Sequence, residues 1–138
     1  MQAVCNSGLQ FLDIVARWPG STHDSTIFNA SRIYARFENG EMRNALLLGD
    51  SGYPCSTFLM TPLLQTQTRA EELYNESHIR TRNVIERTFG IWKRRFPVLA
   101  LGIRLRIQII QAVIVATGVL HNIARDMNEP DVPCEFDV

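Results

Sequence analysis

Leu46-Leu47-Leu48-Gly49-Asp50-Ser51-Gly52-Tyr53-Pro54 is the stretch on which the fold turns. A short continuous apolar run closed by a glycine reads as a strand buried on both faces. The run ends on Asp50, so a carboxylate is delivered at the strand's C-terminal tip, and Ser51-Gly52-Tyr53-Pro54 then turns the chain away. Working back toward the N-terminus, residues 2–5 and 11–18 are strand-like and joined by Asn6-Ser7-Gly8, where Asn and Gly tolerate the positive φ of a tight reversal. In the second of these strands Leu12, Ile14, Ala16 and Trp18 fall on one face, and Phe11, Asp13, Val15 and Arg17 on the other. Pro19-Gly20 breaks it. Ser21-Thr22-His23-Asp24 then offers capping groups and an acid where a helix start wants both, predicting one helix through about Phe37, ended by Asn39-Gly40.

Downstream, Phe58 to Leu63 predicts one more short strand or turn, and Gln65 to Arg69 a polar loop. From Ala70 the pattern is helical: Ile85, Phe89, Trp92 and Phe96 recur at the spacing of one docked helix face, and Pro97 stops the run. A second helix over roughly 105–125 is apolar nearly all round and is expected to be largely buried. Residues 126–138 carry five acids and two prolines without a base, the pattern of a fraying, disordered tail. The expectation is therefore one α/β domain over 1–125, with a mixed sheet that starts with a β-hairpin and is flanked by helices, and an acidic tail over 126–138.

At 138 residues with 46% hydrophobic and 20% charged side chains, the chain suits a single soluble domain. Fourteen basic and fourteen acidic side chains sum to zero, so any attraction to nucleic acid must be local. Cys5, Cys55 and Cys134 are odd in number and widely spaced, which argues against a disulfide framework or zinc site. The longest apolar run, Ile109 to Leu120, is about twelve residues against the roughly twenty that span a bilayer, so no membrane partner is expected.

Charge is unevenly spread. Arg80, Arg82, Arg87, Lys93, Arg94, Arg95, Arg104 and Arg106 lie within one segment whose only acid is Glu86. Guanidinium groups fork onto phosphate oxygens, so this is a candidate phosphate-facing surface; the plainer alternative is a solvated basic face. Glu86 has a plain reading too, an i, i+4 ion pair with Arg82, and Asp50 could simply cap its turn. Taken together, one carboxylate at a strand tip and another on an arginine-rich helix form a donor set for Mg²⁺ or Mn²⁺ held against a phosphodiester.

Five stretches, taken in order, resemble the PIF/Harbinger transposases and the nucleases derived from them. They are Arg17-Trp18-Pro19-Gly20-Ser21-Thr22-His23-Asp24-Ser25, Leu48-Gly49-Asp50-Ser51-Gly52-Tyr53-Pro54, Tyr74-Asn75 with His78, Ile85-Glu86-Arg87-Thr88-Phe89-Gly90, and Leu120-His121-Asn122. The resemblance covers nearly the whole chain. It implies a DDE-superfamily endonuclease domain of RNase H-like fold, in which three carboxylates bind divalent metal to cut or join DNA. Asp50 corresponds to the second acid and Glu86 to the third. The first acid has no counterpart: in the family it lies on a strand ahead of the hairpin, and neither Asp13 nor Asp24 matches it.

The expected fold is thus a partial RNase H-like one whose central first strand is missing, inactive by itself, and Met1 opening directly into a strand suggests a truncated gene model. His23 and Asp24 are expected to cap the helix or brace the site from behind. Arg80, Arg82, Arg87, Lys93, Arg94 and Arg95 would grip DNA phosphates. The resemblance further implies a protein of the nucleus, with the cytoplasm as a second compartment, a Myb-like DNA-binding partner, and room for a homo-oligomer. Its alternative is a domesticated, non-catalytic protein- or DNA-binding module on the same scaffold. Trp18 and Trp92 are expected in the core, His121 and Asn122 on backbone carbonyls, and Cys5 and Cys55 are weak nucleophiles.

Overall fold

The computed structural model of the chain describes residues 1–17, 21–101 and 105–133. Trp18, Pro19-Gly20, Arg104, Cys134 and the end of the acidic tail lie outside the described residues. The elements are β1 (Gln2–Cys5), β2 (Phe11–Val15), α1 (Asp24–Asn29), α2 (Arg32–Glu38), β3 (Leu47–Leu48), β4 (Leu59–Met60), α3 (Arg69–Arg95), α4 (Val98–Leu101) and α5 (Ile107–Asp126). The class is mixed α and β, as expected. The strands do not form one mixed sheet, however: β1 pairs with β2 in one two-stranded sheet, and β3 with β4 in another. The residues fall into two compact units, one of Ala3–Arg17 with Val84–Val138, the other of Gln2 with Trp18–Asn83.

In the first unit the hairpin forms where its sequence placed it, but β2 ends at Val15. The positive φ falls on Leu9 (63°) rather than on Gly8. Asn6 explains this, since its Oδ1 accepts from the Gly8 and Gln10 amides at 3.0 and 3.1 Å and winds the turn one residue further on. Left-handed backbone costs a non-glycine residue about 1–2 kcal/mol, which Leu9 offsets by burying its side chain to 6% exposure. Phe11 sits at the centre of an aromatic group, with ring centroids 5.2 Å from Trp92, 5.2 Å from His121 and 6.0 Å from Phe89. Trp92 is in the core, as expected, 2% exposed and donating Nε1–H to Thr117 Oγ1 at 3.1 Å. A short helix, α4, follows Pro97 where none was expected.

α5 overturns an expectation. Instead of being largely buried, it exposes Ile107, Ile109, Val115, Val119, Leu120 and Ile123, and buries Thr117, Gly118 and His121. The buried stripe is chosen by size and hydrogen bonding rather than by hydropathy. Gly118 lets β2 approach so closely that a Cβ there would lie 2.5 Å from Ile14 Cδ1. By length and composition alone α5 would suffice to cross a membrane, since the apolar segment is longer than the Ile109–Leu120 run suggests.

In the second unit the single helix expected up to Phe37 is two. Ser31 breaks it: its hydroxyl donates to the Phe28 carbonyl at 2.6 Å and accepts from the Tyr34 amide at 3.2 Å, ending α1 and capping α2. Asn39 and Gly40 close α2 as predicted, Gly40 at φ 74°. Phe28, Tyr34, Phe37, Tyr53 and Phe58 interlock edge-to-face or stacked around this pair. β3 is only two residues long, parallel to β4 in the register Leu47 to Leu59 and Leu48 to Met60. It is half-buried rather than buried on both faces, and Leu46 is exposed. Its close is as read: the Gly49 amide donates to the Met60 carbonyl at 3.0 Å, and Asp50 follows at the tip.

Candidate active site

Asp50 leaves β3 half-buried, and its Oδ1 accepts from the Gly52 amide at 2.8 Å. That bond occupies one oxygen edge and fixes the carboxylate over the Ser51-Gly52 turn. Gly52 has no side chain to fill the space above it, and two carboxylates approach that space. A Cβ built on Gly52 would lie 3.0 Å from Asp50 Oδ1 and 3.4 Å from Asp24 Oδ2. Asp24 is the first residue of α1, exposed, with the positive end of the helix behind it. The cap expected from this segment is not made by a side chain, since the N-cap is His23 and its side chain makes no capping hydrogen bond. His23 is exposed beside it.

Tyr53 and Gln2 back this pair of acids. Gln2 Nε2 donates to Tyr53 Oη at 2.7 Å and to the Asp24 carbonyl at 3.1 Å. Burial, helped by the charges of Asp24 and Asp50 and opposed by the Gln2 bond, pushes the Tyr53 phenol up to about 12. It is a protonated donor at any physiological pH. Neither Tyr53 nor Gln2 was singled out from sequence. Tyr53 stood within a quoted motif and could have been flagged; Gln2, 22 residues from Asp24, carries no local signal.

Glu86 is exposed on α3 and is not free, and nor is Arg82. Asp50 belongs to one compact unit and Glu86 to the other. Arg80, Arg87 and Lys93 are exposed, whereas Arg82, Arg94 and Arg95 are half-buried. Lys93 Nζ sits 5.9 Å from the Phe89 ring centroid. Arg95 is turned inward within its unit, its Nη2 donating to the Pro130 carbonyl at 2.8 Å.

Other polar side chains do backbone work, in the same way in each unit. Asn75 donates Nδ2–H to the Leu63 carbonyl (2.9 Å) and accepts from the Leu63 amide (2.8 Å). Asn122 does the same to Phe11, at 2.7 and 2.8 Å. Each side-chain amide takes the place of a neighbouring strand's peptide group. A histidine accompanies each: His78 Nε2 pairs with the Met60 carbonyl at 2.9 Å, and His121 Nε2 with the Leu9 carbonyl at 2.7 Å. Tyr74 adds its hydroxyl to the Thr61 carbonyl at 2.8 Å. Burial lowers the His121 pKa, and Arg125 and Arg95 lower it further against the Leu9 bond. The reading of His121 and Asn122 as partners of backbone carbonyls is borne out. So is the weakness of Cys5 as a nucleophile, since burial raises its thiol despite a hydrogen bond to Thr88.

Residues 1–122 match the family described as DDE superfamily endonuclease. The chain belongs to that family. Among its curated relatives are human "Putative nuclease HARBI1", 37% identical over 125 residues, and Arabidopsis thaliana "Protein ALP1-like", 26% identical over 145 residues. The matches cover 88% and 94% of the chain, and 36% of each relative. The Xenopus laevis protein of the first name is 30% identical over 109 residues, covering 76% of the chain and 31% of the relative. The chain thus spans about a third of the length of the relatives it matches. No solved structure matches it. The resemblance to Harbinger-derived nucleases holds, and its motif residues sort into two kinds. Tyr74, Asn75, His78, His121 and Asn122 clamp backbone, while Asp24, Asp50 and Glu86 are carboxylates, Asp50 accepting from the Gly52 amide. Among the described residues no group of three or more His, Cys, Asp and Glu could hold a metal ion. The acids that do converge, Asp24 and Asp50, offer only oxygen, the donor type that Mg²⁺ and Mn²⁺ select.

Proposed function

We propose that the chain is the catalytic portion of a metal-dependent DNA endonuclease on an RNase H-like scaffold, cutting or transferring phosphodiester strands. The reading is supported above all by Asp50, an acid inside the endonuclease-family match, fixed at a strand tip by the Gly52 amide. Asp50 and Glu86 would hold the divalent cations that DDE endonucleases typically use, and these would supply activation of the attacking oxygen and stabilisation of the leaving one. Arg80, Arg82, Arg87, Lys93, Arg94 and Arg95 would bind backbone phosphates, Arg80, Arg87 and Lys93 being the exposed members. Tyr53 stays protonated behind the two acids, whose charges add to burial in raising its phenol. In this reading the protein acts in the nucleus, with a separate Myb-like partner choosing the DNA site.

The test is nicking of supercoiled plasmid, with Mg²⁺ or Mn²⁺, by the chain extended at its N-terminus through a strand that supplies the first acid. Cleavage that Asp50→Asn and Glu86→Gln each reduce by roughly a hundredfold or more is expected, in line with loss of a charge-stabilising group. Cleavage surviving Asp50→Asn overturns the assignment. Salt-dependent DNA binding with no metal-dependent cutting would instead favour a non-catalytic binding module.

A further inference from the structure

Tyr53 carries the turn of Asp50 inward. Ser51 and Gly52 are exposed, as are Pro54 and Cys55 beyond them, whereas Tyr53 is half-buried. Its amide closes the turn on the Asp50 carbonyl at 3.2 Å. Its ring stands edge-on to Phe28, centroids 5.8 Å apart, and so near Gly49 that a Cβ there would lie 3.0 Å from Tyr53 Cδ2. Its hydroxyl accepts from Gln2 Nε2 at 2.7 Å. The same Nε2 donates to the Asp24 carbonyl at 3.1 Å, so the first residue of β1 joins the start of α1 to the Asp50 turn. All of these residues lie in one compact unit.

Gln2 is a disfavoured choice for a buried position. It is 8% exposed, and because Nε2 faces a carbonyl that can only accept, the atom left buried without a hydrogen-bond partner is Oε1. A methionine of the same length would fill the position and strand no polar oxygen. What the amide adds is the pair of donated bonds, to Tyr53 and to Asp24.

We propose that Gln2 is a positioning residue for Asp50, holding through Tyr53 the turn on which that carboxylate stands. Its effect on cleavage rests on the endonuclease reading above; its effect on the carboxylate does not. A short turn with a solvated outer side tilts as a body when its inner tether is cut, and misplacing a reacting group by about 1 Å can lower turnover about a hundredfold.

The experiment compares the wild type with Gln2→Met, Tyr53→Phe, their double variant and Ser31→Ala, a control that loses the α2 cap in the same unit without touching the tether. One readout, on the chain itself, is the pH-dependent step in the Gly52 amide signal, which follows ionisation of Asp50 through their hydrogen bond. The other is plasmid nicking with Mg²⁺ by the N-terminally extended chain. The amide step should shrink by roughly half or more in Gln2→Met and in Tyr53→Phe, as the bond to Asp50 lengthens or bends. In the extended chain kcat should fall about tenfold or more with KM within about twofold, and the double variant should be no worse than the poorer single one. Ser31→Ala should keep wild-type values of both. An unchanged Gly52 step, or an unchanged kcat, in Gln2→Met would overturn the proposal and leave the endonuclease reading standing. Equal losses in Ser31→Ala would overturn it as general loosening. Should circular dichroism show Gln2→Met unfolded, Tyr53→Phe, which lacks only the hydroxyl, is held to the same outcomes. No cleavage by the extended wild type, with the amide step still reduced in Gln2→Met, would overturn the endonuclease reading and uphold the tether.

Discussion

At the residue scale, two titratable groups report on their surroundings. His121 is fully buried, and its neutral ring donates Nε2–H to Leu9 while Nδ1 has no partner. Its pKa is lower in the folded chain than the ordinary 6.5. The unfolded chain therefore binds the extra proton first, so stability is full above 6.5 and is lost as pH falls below it. Thermal melts from pH 7.5 to 5.0 should show a falling midpoint, and the part of that slope due to His121 should vanish in His121→Gln, whatever its overall loss of stability. Tyr53 behaves oppositely. Its folded pKa of about 12 lies above the model-compound 10.0, so its contribution is present below 10 and declines as pH rises toward 12. Tyrosinate absorbance should show one of the three tyrosines titrating last, and Asp24→Asn should lower that step by removing a repelling charge. A phenol titrating with the others would mean that Tyr53 is not held beside these acids.

At the scale of elements, the helix contacts are decided by small and polar residues. Gly118→Ala should destabilise the chain by about 1–3 kcal/mol, because the new methyl would meet the end of Ile14 and β2 would have to move. Asn122→Ala should cost about the same, since it strips partners from both the amide and the carbonyl of Phe11. Val119→Gln, on the exposed side of α5, should stay within about 0.5 kcal/mol of wild type. Denaturant unfolding checks all three, and a strongly destabilised Val119→Gln would mean that the helix is packed on that face. This element also shows where sequence reading reached and where it stopped. The hairpin, α3 and the β3 tip were legible because hydropathy period and turn residues mark them locally. The buried face of α5 was not, because Thr117, Gly118 and His121 are read as poor core residues until β2 is placed against them. The break at Ser31 was missed because a serine inside an amphipathic run reads as tolerated rather than as a stop. In the candidate site Asp50 was legible from the strand end, whereas the approach of Asp24 depends on the turn at Gly52, which no spacing encodes.

At the scale of the molecule, a net charge of zero leaves the DNA binding proposed above to the local basic segment. Arg80→Ala and Arg87→Ala should each weaken binding to DNA of any sequence and reduce the slope of log affinity against log salt by roughly 1. Fluorescence anisotropy at several salt concentrations measures this, and an unchanged slope would reassign the arginines to a solvated face. The cysteines offer a second whole-chain readout: Cys55 is exposed and should label rapidly with a thiol reagent, while Cys5, half-buried with its thiol raised, should label slowly. The two asparagine clamps carry a different implication, for how the protein ages. Each works only because one end of the amide donates and the other accepts. Spontaneous loss of ammonia, which turns the side chain into an acid, would set an anionic oxygen against the Leu63 or Phe11 carbonyl. A chemical change of a single atom group, invisible to hydropathy and nearly isosteric, would then convert a strand surrogate into a wedge, so the shelf life of the fold is written into Asn75 and Asn122.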